Sequence, residues 1–258
     1  MLSIIVPTFN QATLTIKCFD SIRQNTVAPY ELIWVDNGSR DADLNPVFRI
    51  VERSNIQAKL VRFRTNTGFV TATNAGIREA QGEHIILLNN DTEVGYRWDE
   101  KLVKPLTDPA VGAVGPVTQS RIAWQEIGHV NARWQTKLPT FRGSTDVFSK
   151  ILDQGFGDKY VEVEKTPLAF FCVALRREVF SEIGLLDERF GPGLADDDDF
   201  CFRLRQAGKK LILSLGTFVF HHHRVTFRAT GVQIDSLLRM NTQKLKQKRE
   251  QELRITSI

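Results

Sequence analysis

The chain has 258 residues, of which 42% are hydrophobic and 25% charged, the composition of an ordinary globular protein with a sizeable core. Its formal net charge of only +4 gives no reason to expect a nucleic-acid partner. Its three cysteines, Cys18, Cys172 and Cys201, lie far apart and form no CxxC motif, which argues against a disulfide framework or a zinc knuckle.

Short β-branched runs alternate with amphipathic stretches over the first 91 residues. The runs at 3–10, 31–39, 59–66 and 84–91 predict four buried strands. Between them, apolar or small residues recur at helical spacing and predict three helices, marked by Leu14, Cys18 and Ile22, by Leu44, Val47, Phe48 and Val51, and by Ala72, Ala75, Gly76 and Ala80. This alternation predicts parallel βαβ units with right-handed crossovers.

Each of these four predicted strands ends on polar residues. The ends are Asn10, Asp36 with Asn37, Asn66, and the run Asn89-Asn90-Asp91. Because the carboxyl ends of parallel strands share one edge of a sheet, where open α/β sheets bind their ligands, we expect these side chains to meet around a polar ligand.

The second half of the chain is less regular. Strands are predicted at 111–117 and 168–175, with an irregular stretch at 118–165 between them, and two more short strands within 209–223 are broken at Gly216. No Pro/Gly/Ser-rich linker separates the halves. We therefore expect one α/β domain at 1–230, with a mostly parallel central sheet flanked by helices and a smaller mixed C-terminal part. Residues 1–115 would form a nucleotide-binding half and residues 116–230 an acceptor-binding half.

Residues 231–258 form a basic tail with helical spacing. The first interpretation is a solvated helix; contact with anionic lipid headgroups is the alternative, and the stretch from Leu237 to Leu253 could instead pair with a second copy to form a homodimer. No apolar run reaches the length of a membrane span, and the first residues lack the features of a signal peptide. We therefore expect a cytoplasmic protein, with peripheral contact at the inner face of the membrane as an option. The basic residues of the tail are Lys244, Lys246, Lys248, Arg249 and Arg254.

The run "LLNNDTEV" places Asp91 at the end of a predicted buried strand. A carboxylate there is costly unless it meets a cation or several donors, so Asp91 is a candidate ligand for a hard divalent ion bound to diphosphate oxygens. An Asx turn that closes the strand is an equally good interpretation of this run alone.

The run "FVFHHHRVTF" contains three adjacent histidines. Because side chains alternate along a strand, His221 and His223 share one side and His222 takes the other. One histidine could join a carboxylate at Mn²⁺ or Mg²⁺. Judged alone, the run is better explained as a polar strand end.

The run "LADDDDFC" places four aspartates before an apolar helical stretch. Negative charge is favoured at a helix N-terminus, so Asp196 is predicted as the N-cap and Asp199 as the N3 residue of a capping box. One carboxylate aimed into a cleft would suit a general base for a hydroxyl nucleophile. A purely structural acidic cap is the alternative.

Taken in order, these motifs resemble those of glycosyltransferase family 2, with the single-domain GT-A architecture and closest similarity to the rhamnosyltransferase-like branch. "SIIVPTFN" resembles the opening strand of that family and "VDNGSRD" its nucleoside-binding turn. "NTGFVTATNAGIREAQGEHIILLNNDTEV" matches a continuous family pattern, and "DDDDFCFRLRQAGKKL" resembles the acceptor-side signature. The resemblance covers residues 3 to about 227.

The resemblance implies a role for each matching residue. Asp197 would be the catalytic base, and Asp196 and His223 would bind the acceptor. Asp91 and His221 would hold Mn²⁺ or Mg²⁺, although Asn89 replaces the first acid of the Asp-x-Asp motif of the family. The nucleotide would contact Pro7, Thr8, Asn10, Asp36, Asn37, Asn66, Gly68, Asn74 and Asn90.

The implied function is transfer of a sugar, with inversion, from a UDP- or dTDP-sugar to a hydroxyl of a glycan or lipid-linked acceptor. A sugar-phosphate nucleotidyltransferase is disfavoured, because "PTFNQATLT" lacks the Gly-rich, basic phosphate loop that such an enzyme needs. A non-catalytic nucleotide- or glycan-binding module is the third interpretation. The presence of Asp91, Asp197 and His221 argues against it.

Overall fold

The computed structural model describes residues 1–54, 56–120, 124–222 and 233–255, with side chains described to residue 251. Within these ranges the chain forms nine strands, nine α-helices and two short 3₁₀ helices, Lys104–Thr107 and Glu188–Phe190. The strands are β1 (Leu2–Thr8), β2 (Tyr30–Asn37), β3 (Ala58–Phe63), β4 (His84–Leu88), β5 (Thr92–Val94), β6 (Val111–Val117), β7 (Tyr160–Glu162), β8 (Cys172–Arg176) and β9 (Lys210–His221). The helices are α1 (Ala12–Asn25), α2 (Asp41–Arg53), α3 (Phe69–Glu79), α4 (Trp98–Val103), α5 (Ile127–Trp134), α6 (Thr145–Phe156), α7 (Glu178–Ile183), α8 (Asp196–Gln206) and α9 (Ile234–Ile255).

The strands form one mixed sheet with the order β3-β2-β1-β4-β8-β6-β9-β5, and β7 pairs with β9. Strands β1 to β4 are mutually parallel, which confirms the predicted βαβ units. β8 runs antiparallel to both β4 and β6 and joins the regular half to the mixed half. The predicted α/β class, with a mixed C-terminal part, is therefore confirmed.

Alternate residues of the central strands face opposite layers of helices. Ile4 and Trp34 pack with α1 and α2, whereas Ile5 packs under α3. A Cβ at Gly76 would overlap the side chain of Ile5, so this small residue lets α3 lie directly on the sheet, as the spacing of small residues predicted. The buried indole N–H of Trp34 donates to the Thr8 hydroxyl at 2.8 Å and satisfies a polar atom inside this core.

Two predictions for the second half are wrong. The two short strands expected within 209–223 are one strand, β9, which continues through Gly216 by shifting its register against β6 after Pro116. The stretch 118–165 is more regular than expected, since it contains α5, α6 and β7. A β-bulge at this register shift lets β9 continue past Gly216, where the sequence suggested an interruption. Helix α6 packs on β9 at that point.

The C-terminal helix α9 is packed on the domain, which corrects the prediction of a solvated basic tail. Leu237 and Leu245 are buried, and Lys248 lies within ion-pair distance of two aspartates of the domain. A helix surrounded by solvent would have neither buried leucines nor ion pairs with the domain. None of the described helices is both long and apolar enough to cross a membrane.

Gly216 provides a test of the fold. A Cβ there would overlap the backbone carbonyl of Gly157, which cannot move aside cheaply. We expect Gly216→Ala to lower the free energy of unfolding by about 1–3 kcal/mol in urea denaturation. Gly155→Ala is the matched control, because nothing lies within 4 Å of a Cβ added there. The higher helix propensity of alanine should raise the free energy of unfolding of this variant by about 1 kcal/mol. Equal stability of the two variants would contradict the packing described here.

Candidate active site

A cavity of about 790 Å³ opens at the carboxyl ends of β1, β2 and β4, which confirms the edge predicted from the polar strand ends. It is lined on one side by the sheet edge and on the other by the segment that leads into α8 and by the start of α9. Asp91 and Asp197 therefore face the same cavity. The residues that the sequence predicted and that line it are Pro7, Thr8, Asn37, Asn66, Gly68, Asn90, Asp91, Asp196, Asp197 and His221.

Asp91 and His221 are in direct contact in this cavity. Asp91 Oδ1 lies 3.2 Å from His221 Nε2, and both side chains are largely buried. The antiparallel pairing of β5 with β9 brings them together, since Thr92 is opposite His221. The ring of His221 stacks on Phe171, with centroids 5.1 Å apart, and this fixes its orientation.

The alternation predicted for the histidine run is confirmed at its first two positions. His222 Nε2 lies 2.7 Å from Glu93 Oε1, so it turns away from the partner of His221. His223, predicted to bind the acceptor, lies outside the described residues.

The two asparagines before Asp91 have different surroundings. The Asn90 amide donates to the Thr15 hydroxyl at 3.0 Å, which ties the strand end to α1. Asn89 Oδ1 is buried without a hydrogen-bond partner among the described residues, as is the Ser120 hydroxyl, which also borders the cavity. Buried polar atoms without a partner beside a cavity are typical of a site that binds a polar ligand.

The loop after β3 is shaped by Asn37. Its carboxamide oxygen accepts the backbone N–H and hydroxyl of Thr67, both at 2.9 Å, and its amide donates to Asn66 Oδ1 and to the Gly68 carbonyl. Gly68 has φ +91°, and a Cβ there would lie 2.7 Å from the carbonyl oxygen of Gly191. The absence of a side chain at Gly68 thus allows this loop to approach the backbone of the opposite loop closely.

Two predicted nucleotide-binding residues are not among those that line the cavity. Asp36 is fully buried; it accepts the Ser39 N–H at 3.2 Å and lies 3.3 Å from Arg62 Nε. The Asn10 carboxamide accepts the Arg40 N–H at 3.0 Å. Both organise the turns that follow β1 and β2 and do not line the cavity.

Asn74, a third predicted nucleotide contact, also lies outside the cavity lining. Its amide donates to the Leu186 carbonyl at 2.9 Å and to Glu188, and its oxygen accepts the Leu186 N–H at 3.1 Å. Asn74 therefore joins α3 to the segment before α8. The predicted contact of Asn74 with a nucleotide stays a prediction, since the structure shows its side chain bonded to the protein itself.

The acidic run begins α8 in a different way from the prediction. The N-cap is Ala195, with φ +69°, and Asp196 is already the first helical residue. Asp199 does not close a capping box; its buried carboxylate contacts Arg203 Nε at 2.9 Å and Lys248 Nζ at 2.6 Å. A left-handed alanine has no sequence signature, so the register of the helix start could not be derived.

Burial raises the pKa of three carboxyls at this helix start. Burial, with the charges of Asp198 and Asp199, raises the pKa of Asp196 to about 6. Burial and then the charges of Asp196 and Asp198 raise the pKa of Asp197 well above its usual range, although its Oδ1 accepts the Asp198 N–H at 2.9 Å. Burial also raises the pKa of Asp198. Asp197 lines the cavity, so it combines access with unusual basicity.

The apolar wall of the cavity was not predicted. It includes Phe170 and Phe171 ahead of β8, and Ile234 and Leu238 from α9. Because β8 runs antiparallel to β4, its amino end reaches the same edge as the carboxyl ends of the parallel strands. Knowledge that β8 is antiparallel would have placed the two phenylalanines at this edge of the sheet. No signal in the sequence links α9 to the site.

The glycosyl transferase family 2 model matches residues 3–184. The chain belongs to this family. Among its relatives, hyaluronan synthase of Pasteurella multocida is 30% identical over 240 residues, covering 85% of this chain and 24% of that protein. The O-antigen biosynthesis protein RfbC of Myxococcus xanthus is 28% identical over 238 residues, covering 89% and 18%. The chain thus spans less than a quarter of the length of these two relatives.

Solved glycosyltransferase structures share the fold. The mannosyltransferase PcManGT from Pyrobaculum calidifontis, in complex with GDP-Man and Mn²⁺, has a TM-score of 0.62 at 22% identity, over 87% of this chain and 57% of that one. GalNAc-T7 with UDP, GalNAc and Mn²⁺ has a TM-score of 0.64 at 19% identity, over 87% and 43%. The GT-A fold expected for a family 2 member is therefore confirmed.

The donor atoms of this family 2 site fit a divalent cation only in part. Asp91 and His221 offer one carboxylate and one imidazole, a set that Mn²⁺ accepts. Among the described residues, no group of three His, Cys, Asp or Glu side chains is arranged to hold a metal. The diphosphate of a donor and water are further oxygen ligands that such a cation would accept.

This partial ligand set predicts that metal and nucleotide bind together. In isothermal titration, Mn²⁺ should bind at least 10-fold more tightly when UDP or dTDP is present, because diphosphate oxygens complete the coordination. Asp91→Asn should remove that enhancement. Glu93→Gln, on the opposite side of the strand, is the matched control and should retain it. Unchanged Mn²⁺ binding in Asp91→Asn would exclude this residue as a ligand.

Proposed function

We propose that the chain is an inverting, metal-dependent glycosyltransferase that moves a sugar from a UDP- or dTDP-sugar to a hydroxyl of a glycan or lipid-linked acceptor. The observation that carries this proposal is that one cavity holds the Asp91–His221 pair and the basic carboxylate of Asp197. Transfer to a hydroxyl needs both functions at the same place: charge neutralisation of a leaving diphosphate and acceptance of a proton.

The donor would lie along the sheet edge. Pro7, Thr8, Asn37 and the loop from Asn66 to Gly68 line this side of the cavity and offer backbone and amide groups to a nucleoside. A cation held by Asp91 and His221 would neutralise charge on the departing diphosphate. Bound GDP-Man in one structural neighbour, and UDP with GalNAc in another, support a nucleotide-sugar donor.

Asp197 would act on the acceptor. As the acceptor oxygen bonds to the anomeric carbon, the bond from that carbon to the diphosphate oxygen breaks, and its electron pair leaves with the nucleoside diphosphate. The hydroxyl proton passes to Asp197, whose raised pKa makes it a better acceptor than an ordinary aspartate. A single displacement of this kind inverts the anomeric configuration, which is the outcome we propose.

Polysaccharide assembly is the process that the relatives favour. They include an O-antigen biosynthesis protein, a hyaluronan synthase and a chondroitin synthase. We therefore place the acceptor among surface or cell-wall glycans, and the sugar transferred would be a hexosyl or a rhamnosyl unit. The aromatic and aliphatic wall at Phe170, Ile234 and Leu238 could receive the apolar face of a sugar ring or the lipid of a lipid-linked acceptor.

A donor screen tests the proposed function directly. Melting temperature should rise with one class of nucleotide, UDP or dTDP with Mn²⁺, and not with nucleoside monophosphates. At 100 times the Kd of the ligand the added stability is about 2.7 kcal/mol. No shift with any nucleoside diphosphate or nucleotide sugar would overturn the proposal.

Removal of the proposed base should abolish turnover but retain donor binding. We expect Asp197→Asn to lower kcat by about 10²–10⁴-fold, because the proton of the acceptor has no receiver, and to leave the Kd of the donor nucleotide within about 2-fold. Single-turnover rates and calorimetry measure the two effects. Wild-type turnover in this variant would refute the assignment.

The pH profile provides a second test of the base. Asp197 works only when deprotonated, so kcat/KM should rise with pH through an apparent pKa above the ordinary value of about 3.9 for aspartate. Asp196→Asn removes a negative charge that raises the pKa of Asp197, and should therefore move this acidic limb to lower pH. Glu52→Gln, which removes an exposed carboxylate on α2, is the control and should leave the limb in place.

A further inference from the structure

The turn that precedes α8 has an unfavourable backbone conformation. Gly191 and Gly193 have φ of +58° and +113°, and the next two residues, Leu194 and Ala195, have φ of +71° and +69°. Residues with a side chain rarely adopt this left-handed region, and here two do so in succession. Such a turn persists only when surrounding contacts determine it. Its conformation sets the direction in which α8, and with it Asp197, leaves the turn.

Asn241 of α9 supplies those contacts. Its side chain is fully buried, and its amide nitrogen lies 3.0 Å from the Phe190 carbonyl, 2.9 Å from that of Gly193 and 3.0 Å from that of Leu194. Three acceptors around one NH₂ group fix the orientation of the carboxamide, because its oxygen would be repelled at the same position. The side chain of Asn241 therefore hydrogen-bonds to the backbone at both ends of the turn.

Lys248, two turns further along α9, holds α8 itself. Its Nζ lies 2.6 Å from Asp199 Oδ1 and 2.9 Å from Asp187 Oδ2, so it bridges the segment before the turn and the helix after it. Asp199 is fully buried and also pairs with Arg203. The neighbouring Arg249 donates to the Asp198 carbonyl at 3.1 Å. These contacts span both sides of the left-handed turn.

The same helix reaches the cavity. Ile234 and Leu238, in the first turns of α9, line it together with Leu194 and Asp197. The family 2 model ends at residue 184, ahead of the turn, of α8 and of α9. The part of the site around Asp197 is therefore held by contacts that the family match does not cover.

We infer that α9 is a positioning element for the acidic helix, and that Asn241 and Lys248 are the positioning residues that keep Asp197 directed into the cavity. The inference rests on the proposed role of Asp197 as the base. Neither positioning residue is among those that line the cavity, so each acts through the turn or through α8 and not by touching a substrate.

The test compares two amide-to-carboxylate changes on one helix of the full chain. Asn241→Asp keeps the size of the side chain but turns oxygens toward three carbonyls; Gln243→Glu makes the same chemical change on the exposed face. We expect Asn241→Asp to lower kcat at least 10-fold. The Kd of UDP or dTDP, measured in the presence of Mn²⁺, should stay within 2-fold of the wild-type value. Gln243→Glu should match wild type in both measurements, and Asn241→Gln, which keeps the donor, should recover part of the lost kcat.

Hydrogen exchange provides a readout that does not depend on transferase activity. Peptides covering residues 190–200 should exchange faster than in wild type in Asn241→Asp, and at the wild-type rate in Gln243→Glu. Peptides covering residues 84–94 should stay protected in both variants. This result would stand even if no sugar transfer were found, in which case only the proposed function fails. Lys248→Met provides an independent variant if Asn241→Asp does not fold, and should show the same local exchange and the same loss of kcat.

Two results would overturn the inference. One is wild-type kcat and wild-type exchange at 190–200 in folded Asn241→Asp and Lys248→Met. The other is a parallel loss of kcat, nucleotide binding and protection across the whole chain, which would make α9 a general part of the core and not a positioning element.

Discussion

The contact between Asp91 and His221 is the constraint on which the arrangement of the site depends. The two residues lie 130 positions apart in the sequence, and they meet because the three-residue strand β5 pairs with the end of β9. That pairing brings the chain after β4 beside the end of β9. The cavity lies there, with the carboxyl edge of the sheet on one side and the acidic helix on the other. A polar pair that would be costly alone in the interior is thus retained beside the cavity.

A second constraint is the charge of the acidic run. Four aspartates in sequence repel one another, and their surroundings divide them into two kinds. Asp199 is buried against Arg203 and Lys248 and is compensated. Burial raises the pKa of Asp196, Asp197 and Asp198, and the charges of neighbouring aspartates raise it further for Asp196 and Asp197. The start of α8 therefore places carboxyls with a raised pKa beside the cavity, whereas the carboxylate of Asp199 forms ion pairs that stabilise the helix.

The sequence was informative where local rules decide the structure. The β-branched runs and helical spacings located β1 to β4 and α1 to α3, and the polar strand ends located the edge of the sheet, because parallel strands must present those ends together. It was uninformative where distant partners decide. Nothing local marks β5 as a strand, Ala195 as a left-handed N-cap or Asn241 as a ligand of three carbonyls. Asn10, Asp36 and Asn74 were predicted as nucleotide contacts, whereas the partners that the structure shows for them are turns and loops of the protein itself.

The backbone contact between the two sides of the cavity has a mechanical consequence. Gly68 lies against Gly191 so closely that no side chain fits between them, and the Val70 N–H donates to the Gly191 carbonyl at 3.3 Å. The loop after β3 and the turn ahead of α8 therefore touch through their backbones at this point. Because close-packed backbone atoms cannot interpenetrate, a displacement of this loop toward the turn would have to displace the turn as well.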